Sequence, residues 1–460
     1  MGRKKKSETT KNTTVSRKRS ITRVTGMRDI LPDEQLYWSH VISQAEKLLK
    51  AYGFKKLQTP VLEKTELYSR GVGTDTDIVE KEMYTFRDKG REQLTMKPEG
   101  TAGFMRAYIE NGMFNKPQPV KVYDVMPAFR RGRPQAGRYR QFHQVNYEII
   151  GDPHPVSDAE SILITYKLLN RLGLEKFDLH VNSIGCLECR PEYIDALNDY
   201  FKPKQTRLSN DDKKRLKKNP LRLLDSKDEK TKRIAENAPQ TVDYLCETCN
   251  NHLKTVLEYL DELEIPYVLN TKLVRGLDYY TKTVFEIIPQ DDKDLAQSSL
   301  AGGGRYDNLA IMLGGRETAA TGVAIGIERL IEYMKASQIE PLKPSLPDVF
   351  LVQLGELAKR KSLKIFADLE EAGIHIVEAL SRGSIKSQLK MADKSRVRWS
   401  LILGQKEAVE NTILIRDMDS GIQEIISMEK LVAELEKRLF AHPRREKEEY
   451  SVKKEDDNKK

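Results

Sequence analysis

The chain has 460 residues, 78 Lys and Arg against 69 Asp and Glu, a formal net charge of +9, and 39% hydrophobic residues. That length accommodates two or three domains with ample core, and no apolar run approaches the roughly 20 residues a membrane-spanning helix needs. The basic balance is local: residues 1–20 hold Arg3, Lys4, Lys5, Lys6, Lys11, Arg17, Lys18 and Arg19 against Glu8 alone and supply seven of the nine net charges, so the remainder gives no charge argument for nucleic acid.

The first 21 residues are Lys- and Thr-rich, without the apolar segment of a secretory signal or the Arg/Ser bias of a transit peptide, and read as a disordered arm suited to holding RNA non-specifically. From Ile21 the sequence turns globular. Leu36, Val41, Ala45, Leu48 and Leu49 recur at helical spacing between Asp33 and Gly53, which predicts a helix. KKLQTPVLEKTELY places Pro60 in a strand-like run, as expected at an edge or an interface, because proline cannot donate to a ladder. Pro98-Glu99-Gly100-Thr101 stands between a predicted strand and a predicted helix, where a carboxylate and free backbone N–H groups would face solvent or a ligand. A turn and helix start is the plainer reading of the same four residues.

The most informative stretch is FRRGRPQAGRYRQFHQVNYE, Phe129 to Glu148. Arg130, Arg131, Arg133, Arg138 and Arg140 fall in a Gly/Pro-punctuated segment between two β-branched and aromatic runs, the pattern of an antiparallel hairpin with a long basic loop. Strand alternation puts Arg140, Phe142, Gln144, Asn146 and Glu148 on one face, and His143, Val145, Tyr147 and Ile149 on the other. Acid and amide side chains on a strand face suit the floor of a polar pocket better than a core. Arginine matches phosphate and carboxylate bidentately, so the loop suits an anionic ligand beside a small polar one.

A helix over 158–172, the strand FDLHVNSIG, a polar Lys-rich region over 186–251 and a helix from His252 follow. The run YVLNTKLVRGLDYYTKTVFEII reads as β. Gly302–Gly304 lack the Lys-Ser/Thr of a phosphate loop and read as a tight turn where backbones approach closely. Gly322 and Gly326 imply something flat against the backbone, with packing glycines as the alternative, and Arg329 heads the last helix of this part beside Glu328. Pro341, Pro344 and Pro347 mark a linker. Beyond it strand and helix alternate over 347–440, as in a small, mainly parallel α/β domain, before a mixed-charge tail over 441–460.

The four cysteines form two pairs, Cys186-Leu-Glu-Cys189 and Cys246-Glu-Thr-Cys249. That is the ligand count and local spacing of a structural tetrahedral Zn²⁺ site, here bracketing a polar insertion with little apolar material of its own. Two disulfides or unpaired thiols are the competing readings.

In this order, GMRDILP, KPEGTAGFMRAY, FRRGRPQAGRYRQFHQVNYE, NPLRLLDSK, LVRGLDYYT, AGGGRYD and TGVAIGIERL closely resemble the histidyl-tRNA synthetases, over about Thr22 to Leu439. The resemblance implies an α+β fold: a class II antiparallel-sheet catalytic core over 22–340 with a helical insertion at 186–251, and a C-terminal α/β anticodon-binding domain over 347–440. It implies a cytoplasmic homodimer that uses ATP and Mg²⁺ to make histidyl-adenylate from L-histidine and then charges tRNA(His), the early helix and Pro60 strand resembling the dimer-forming motif. By position, Arg130, Arg275 and Arg329 are then the catalytic, ATP-binding arginines, with Arg275 bridging the α-phosphate and the amino-acid carboxylate where related enzymes use a metal. Glu99, Gly100, Thr101 and Gln144 would hold the α-amino end of histidine, Glu148 and Tyr280 its imidazole, with Tyr279 lining the pocket. Gln135 and Arg138 would meet the tRNA acceptor end. One departure stands out: Gly132 occupies the place where the family usually has a Glu facing the adenine amino group, leaving its backbone or stacking to do that work. The alternatives are a synthetase-like regulatory subunit that charges no tRNA, and a class II synthetase for another amino acid.

Overall fold

In the computed structural model the two runs flanking the arginine loop pair antiparallel, Val120–Phe129 with Gln141–Ile150, in register from Val120↔Ile150 to Phe129↔Gln141. The structure describes residues 20–73, 76–133, 137–290, 299–341, 346–381 and 384–441. The basic arm up to residue 19, Gln135 in the hairpin loop, Pro344 of the linker, and the tail beyond 441 lie outside the described residues. The chain divides into two units, Met1–Leu342 and Lys343–Lys460.

The first unit is built on an eight-stranded sheet. Its spatial order is Lys55–Lys56, Val120–Phe129, Gln141–Ile150, Ala320–Gly326, Ala301–Arg305, Thr281–Pro289, Phe177–Ser183, Val268–Leu269. Every pairing is antiparallel except those of the two-residue edge strands. Val145, Tyr147 and Ile149 enter an apolar core with Trp38, Val41, Ala45, Leu48 and Leu49 of the helix Gln35–Ala51, and with the helices Pro155–Arg171, Glu247–Glu262 and Ile327–Ala336. The other face of the Gln141–Ile150 strand is thereby left to the polar residues its alternation predicted. Trp38 takes the buried place expected of Leu36, which stays half-buried one position outside the apolar stripe.

Several expectations need correction. The Pro60 segment is two short strands in different sheets: Lys55–Lys56 edges the large sheet, while Leu62–Lys64 joins Gln93–Met96 and Tyr84–Arg87 in a three-stranded one. Proline, with no N–H to give, falls at the break. Residues 270–280 are turns, not strand, held by Leu273 N–H donating to Asn270 O and Asp278 N–H donating to Val72 O. Gly302–Gly304 form a central strand, not a turn, although the close approach is there: a Cβ on Gly302 would stand 2.3 Å from Arg275 Nη2. The insertion is richer in apolar contacts than its composition suggests, burying Tyr193, Leu197, Phe201, Leu216 and Leu223 in a second core. The C-terminal unit pairs Ile376–Glu378, Val349–Gln353 and Trp399–Leu403 in parallel, but Thr412–Asp417 and Gln423–Ser427 add antiparallel. The connections to those last two strands are too short for a parallel crossover. No described helix is long and apolar enough to cross a membrane.

A buried ionic knot ties the insertion's exit helix to the sheet. Asp158 and Arg305 pair at 3.0 Å with both side chains fully buried, and Asp158 also accepts from Thr283 Oγ1 at 2.8 Å and meets His252 Nε2 at 2.6 Å.

Candidate active site

Gln144 and Asn146 project from the hairpin strand into a cavity of about 300 Å³ whose walls also include Glu99, Thr101, Arg130, Arg138, Phe142, Arg275, Tyr279, Tyr280 and Arg329. Glu148, next on the same face, is fully buried behind it. Thr101 Oγ1 donates to Glu148 Oε1 at 2.7 Å and Tyr306 Oη to Oε2 at 2.5 Å. The carboxylate lies so close to the neighbouring strand that only glycine fits there: a Cβ on Gly322 would meet Glu148 Oε2 at 1.4 Å. What presses on Gly322 is therefore this carboxylate and not a ligand.

Burial pushes Glu148 up to about 8, against the pull of the Tyr306 and Thr101 donors. The folded state thus keeps a proton that an unfolded carboxylate releases near pH ~4.3. Stability from this group is fully present below the unfolded value and is lost as pH rises from there through about 8. Glu148→Gln should flatten that decline in ligand-free thermal unfolding between about pH 5 and about pH 8; an unchanged slope would contradict the assignment.

At the start of the helix Thr101–Glu110, Glu99 accepts from the N–H groups of Thr101 at 2.7 Å and Ala102 at 2.9 Å. The N–H groups expected to be free are therefore capped from within, and the carboxylate, oriented by them, faces the cavity. Burial raises its pKa, the two N–H groups and Arg130 opposing.

Three arginines from separate segments line the same cavity. Arg130 donates from Nε to Pro98 O at 2.9 Å and lies over the Phe142 ring at 5.2 Å. Arg275 donates from Nη1 to Glu286 at 2.9 Å and rests on the glycine strand at Gly302. Arg329 donates from Nη1 to Ser299 O at 2.8 Å. Burial, then the proximity of Arg130 and Arg138, lowers the pKa of Arg329, and burial lowers that of Arg130. For Arg275, burial acts the same way, but Glu286 together with Tyr280 and Tyr279 outweighs it. A cavity whose guanidiniums repel one another is short of negative charge, which a phosphate would supply.

Tyr279 and Tyr280 reach the cavity from the turn segment, their rings 4.7 Å apart. Gly100 packs beside Asn146. Arg138 lines the cavity rim and pairs with Glu82, and the place a side chain at Gly132 would take lies against that pair, 3.1 Å from Arg138 Nε. Tyr306 is the contact the sequence reading missed. Read as a strand, the glycine run puts Gly302, Gly304 and Tyr306 on one face by their spacing of two; read as a turn, that period was invisible.

The four cysteines, none in a disulfide, bring their Sγ atoms within 4.8 Å of one another. The contacts 186–189, 186–246 and 189–249 measure 3.7, 3.9 and 3.8 Å. Four thiolates at ~2.3 Å from a tetrahedral Zn²⁺ stand about 3.8 Å apart, so the donor set fits that ion. Arg190, next to Cys189, donates to Ile184 O at 3.1 Å, Gly185 O at 3.1 Å and Tyr280 O at 2.6 Å. The cluster is thereby one residue from a brace on the cavity wall.

An antiparallel sheet with an arginine-bearing hairpin, a glycine strand and a basic cleft over an acid-and-amide floor, followed by a separate α/β unit, defines a class II aminoacyl-tRNA synthetase. A family model described as histidyl-tRNA synthetase matches residues 26–330, and one described as anticodon binding domain matches residues 348–438. The chain is 45% identical to a histidine–tRNA ligase of Dehalococcoides mccartyi over 90% of this chain and 99% of that one. It is 43% identical to one of Desulforamulus reducens over 89% and 98%. The crystal structure of apo S. aureus histidyl-tRNA synthetase superposes with a TM-score of 0.75 at 34% identity, covering 90% of this chain and all of that one. The chain belongs to the histidyl-tRNA synthetase family.

Proposed function

We propose that the chain activates L-histidine with ATP and then transfers the histidyl group to tRNA(His), with the cavity residues in specific roles. The observation that carries this reading is the meeting of Arg130, Arg275 and Arg329 in one cavity beside Glu148. In the first step a carboxylate oxygen of histidine attacks the α-phosphorus of ATP, the bond to the β-phosphate breaks and pyrophosphate leaves. Such a displacement needs little covalent help but does need fixed cations where charge develops. Arginine cannot lose its proton, so Arg130 and Arg275 form a permanent clamp, with Arg329 holding the nucleotide. Glu99, Thr101 and Gln144 hold the α-ammonium group, while Glu148 and Tyr280 pair the imidazole nitrogens and Tyr279 closes the pocket. A site built to pair both nitrogens rejects amino acids lacking them, because its own buried groups would be left unpaired. In the second step a terminal ribose hydroxyl of tRNA attacks the activated carbonyl and AMP leaves, with Gln135 and Arg138 at the acceptor end.

Mg²⁺ would come with the nucleotide, held mainly by its phosphates and water. Adenine is held by stacking, for which Phe142 offers a ring. The reading includes a cytoplasmic location and a homodimer, for which the exposed Leu62 and Phe86 of the three-stranded sheet offer apolar surface. It also includes a structural Zn²⁺ on Cys186, Cys189, Cys246 and Cys249. Removing that ion with a chelator should raise KM for histidine more than KM for ATP, because Arg190 would lose the anchor beside its bond to Tyr280 O. Freshly purified protein without zinc would end the zinc assignment.

Incubation with ATP, labelled histidine and tRNA(His) tests the function. Histidyl-tRNA should accumulate. Histidine binding without charging would instead select the regulatory-subunit alternative.

A further inference from the structure

Asn146 has no hydrogen-bond partner at either side-chain atom, although it is fully buried and lines the cavity. A buried primary amide left unpaired costs the full desolvation of each polar group, so a native cavity that keeps one has a ligand or water in view. Its neighbour two positions back, Gln144, presents an Oε1 that is likewise buried and unpartnered. The strand period carries both amides to the same face, and the ladders put Asn146 between Ala324, which offers no polar atom, and Asp124, whose buried carboxylate makes no hydrogen bond to it. On the facing side stands the Glu99 carboxylate, whose two oxygens each accept one backbone N–H and keep further lone pairs.

Two amides with orphaned atoms and a carboxylate lining one cavity are complementary to a small group with several donors and a positive charge. We propose that Asn146 is a substrate-binding contact for the α-ammonium group of the amino acid, its Oδ1 joining Gln144, Glu99 and Thr101 as a further acceptor around the three N–H donors. This rests on the reading of the cavity as an amino-acid site and adds to it a residue that reading leaves idle. On that reading the imidazole belongs to Glu148, one further step along the same face, and not to Asn146. The arginines would attract the carboxylate and phosphate.

The test compares three ligands on the full-length enzyme: L-histidine, L-histidinol, which keeps the ammonium and lacks the carboxylate, and imidazolepropionate, which lacks the ammonium. Asn146→Ala should weaken histidine and histidinol at least about tenfold, as expected for losing a hydrogen bond to a charged group. It should leave imidazolepropionate and KM for ATP within about twofold, which also shows that the variant is folded. Asn146→Asp retains an acceptor and should restore histidinol binding to within about threefold of the parent. Equal weakening of all three ligands, no weakening of any, or a loss confined to imidazolepropionate would each overturn the proposal. If the unaltered enzyme fails to activate histidine at all, it is the underlying reading that fails, and a flat variant series on an active enzyme refutes only the role of Asn146.

Discussion

Replacing Arg275 by alanine should slow histidyl-adenylate formation by about 10²–10³-fold, the usual cost of removing one preorganised donor from a developing oxyanion. Histidine affinity should change far less. The guanidinium is fixed from two sides, by Glu286 at 2.9 Å and by the glycine strand, where any side chain on Gly302 would collide with it. Charge held this rigidly is worth most where negative charge grows during the displacement at phosphorus, and less where a ground-state carboxylate merely rests. Arg275→Lys keeps the charge but not the planar fork, and should recover only part of the rate. Pre-steady-state measurement of adenylate formation, together with a histidine titration, separates the two quantities. Equal losses in both would contradict a transition-state role.

Asp158→Ala should cost the catalytic unit about 3–5 kcal/mol of stability without touching the cavity, because it strands a buried guanidinium. Arg305 is 0% exposed, and although it retains Asp307 at 3.2 Å and the carbonyls of Asp152 and His154, Asp158 is its one fully buried anionic partner among the described residues. The same residue holds Thr283 and His252, so one substitution releases two strands and two helices from each other. Burial alone would raise the pKa of Asp158, yet Arg305 and His252 outweigh it and hold it below the ordinary carboxylate value. Its contribution is therefore present above the unfolded carboxylate value of about 3.9 and lost as pH falls through the lower folded one. Urea unfolding at neutral pH measures the loss; a shift worth under about 1 kcal/mol would show that the knot is not what joins these elements.

Much of the site was legible because the hairpin strand carries its information as a period. Polar and apolar residues alternate from Gln144 to Ile149, so the core face and the cavity floor separate without any knowledge of the partners. The paired cysteines were legible for a similar reason, since Cys-x-x-Cys spacing leaves few chemical options. Other features depend on what lies across the fold. The strand Ala301–Arg305 looks like a turn because its first four residues carry almost no side chain, and its glycines are explained by Arg275, Phe285 and Gly322 beside them. Tyr306 was hidden by that misreading. The insertion reads as polar from its lysines, yet its few apolar residues fall where helices can bury them together. In the C-terminal unit the strands were visible but not their directions, which follow from loop length and not from strand composition.

The most direct measurement is ATP–pyrophosphate exchange dependent on a single amino acid, run on the purified protein with each amino acid in turn. Histidine alone should support exchange, and the rate should collapse in Arg275→Ala. No exchange with any amino acid, or exchange with one other than histidine, would contradict the convergence of the three arginines on an imidazole-reading pocket as the basis of catalysis.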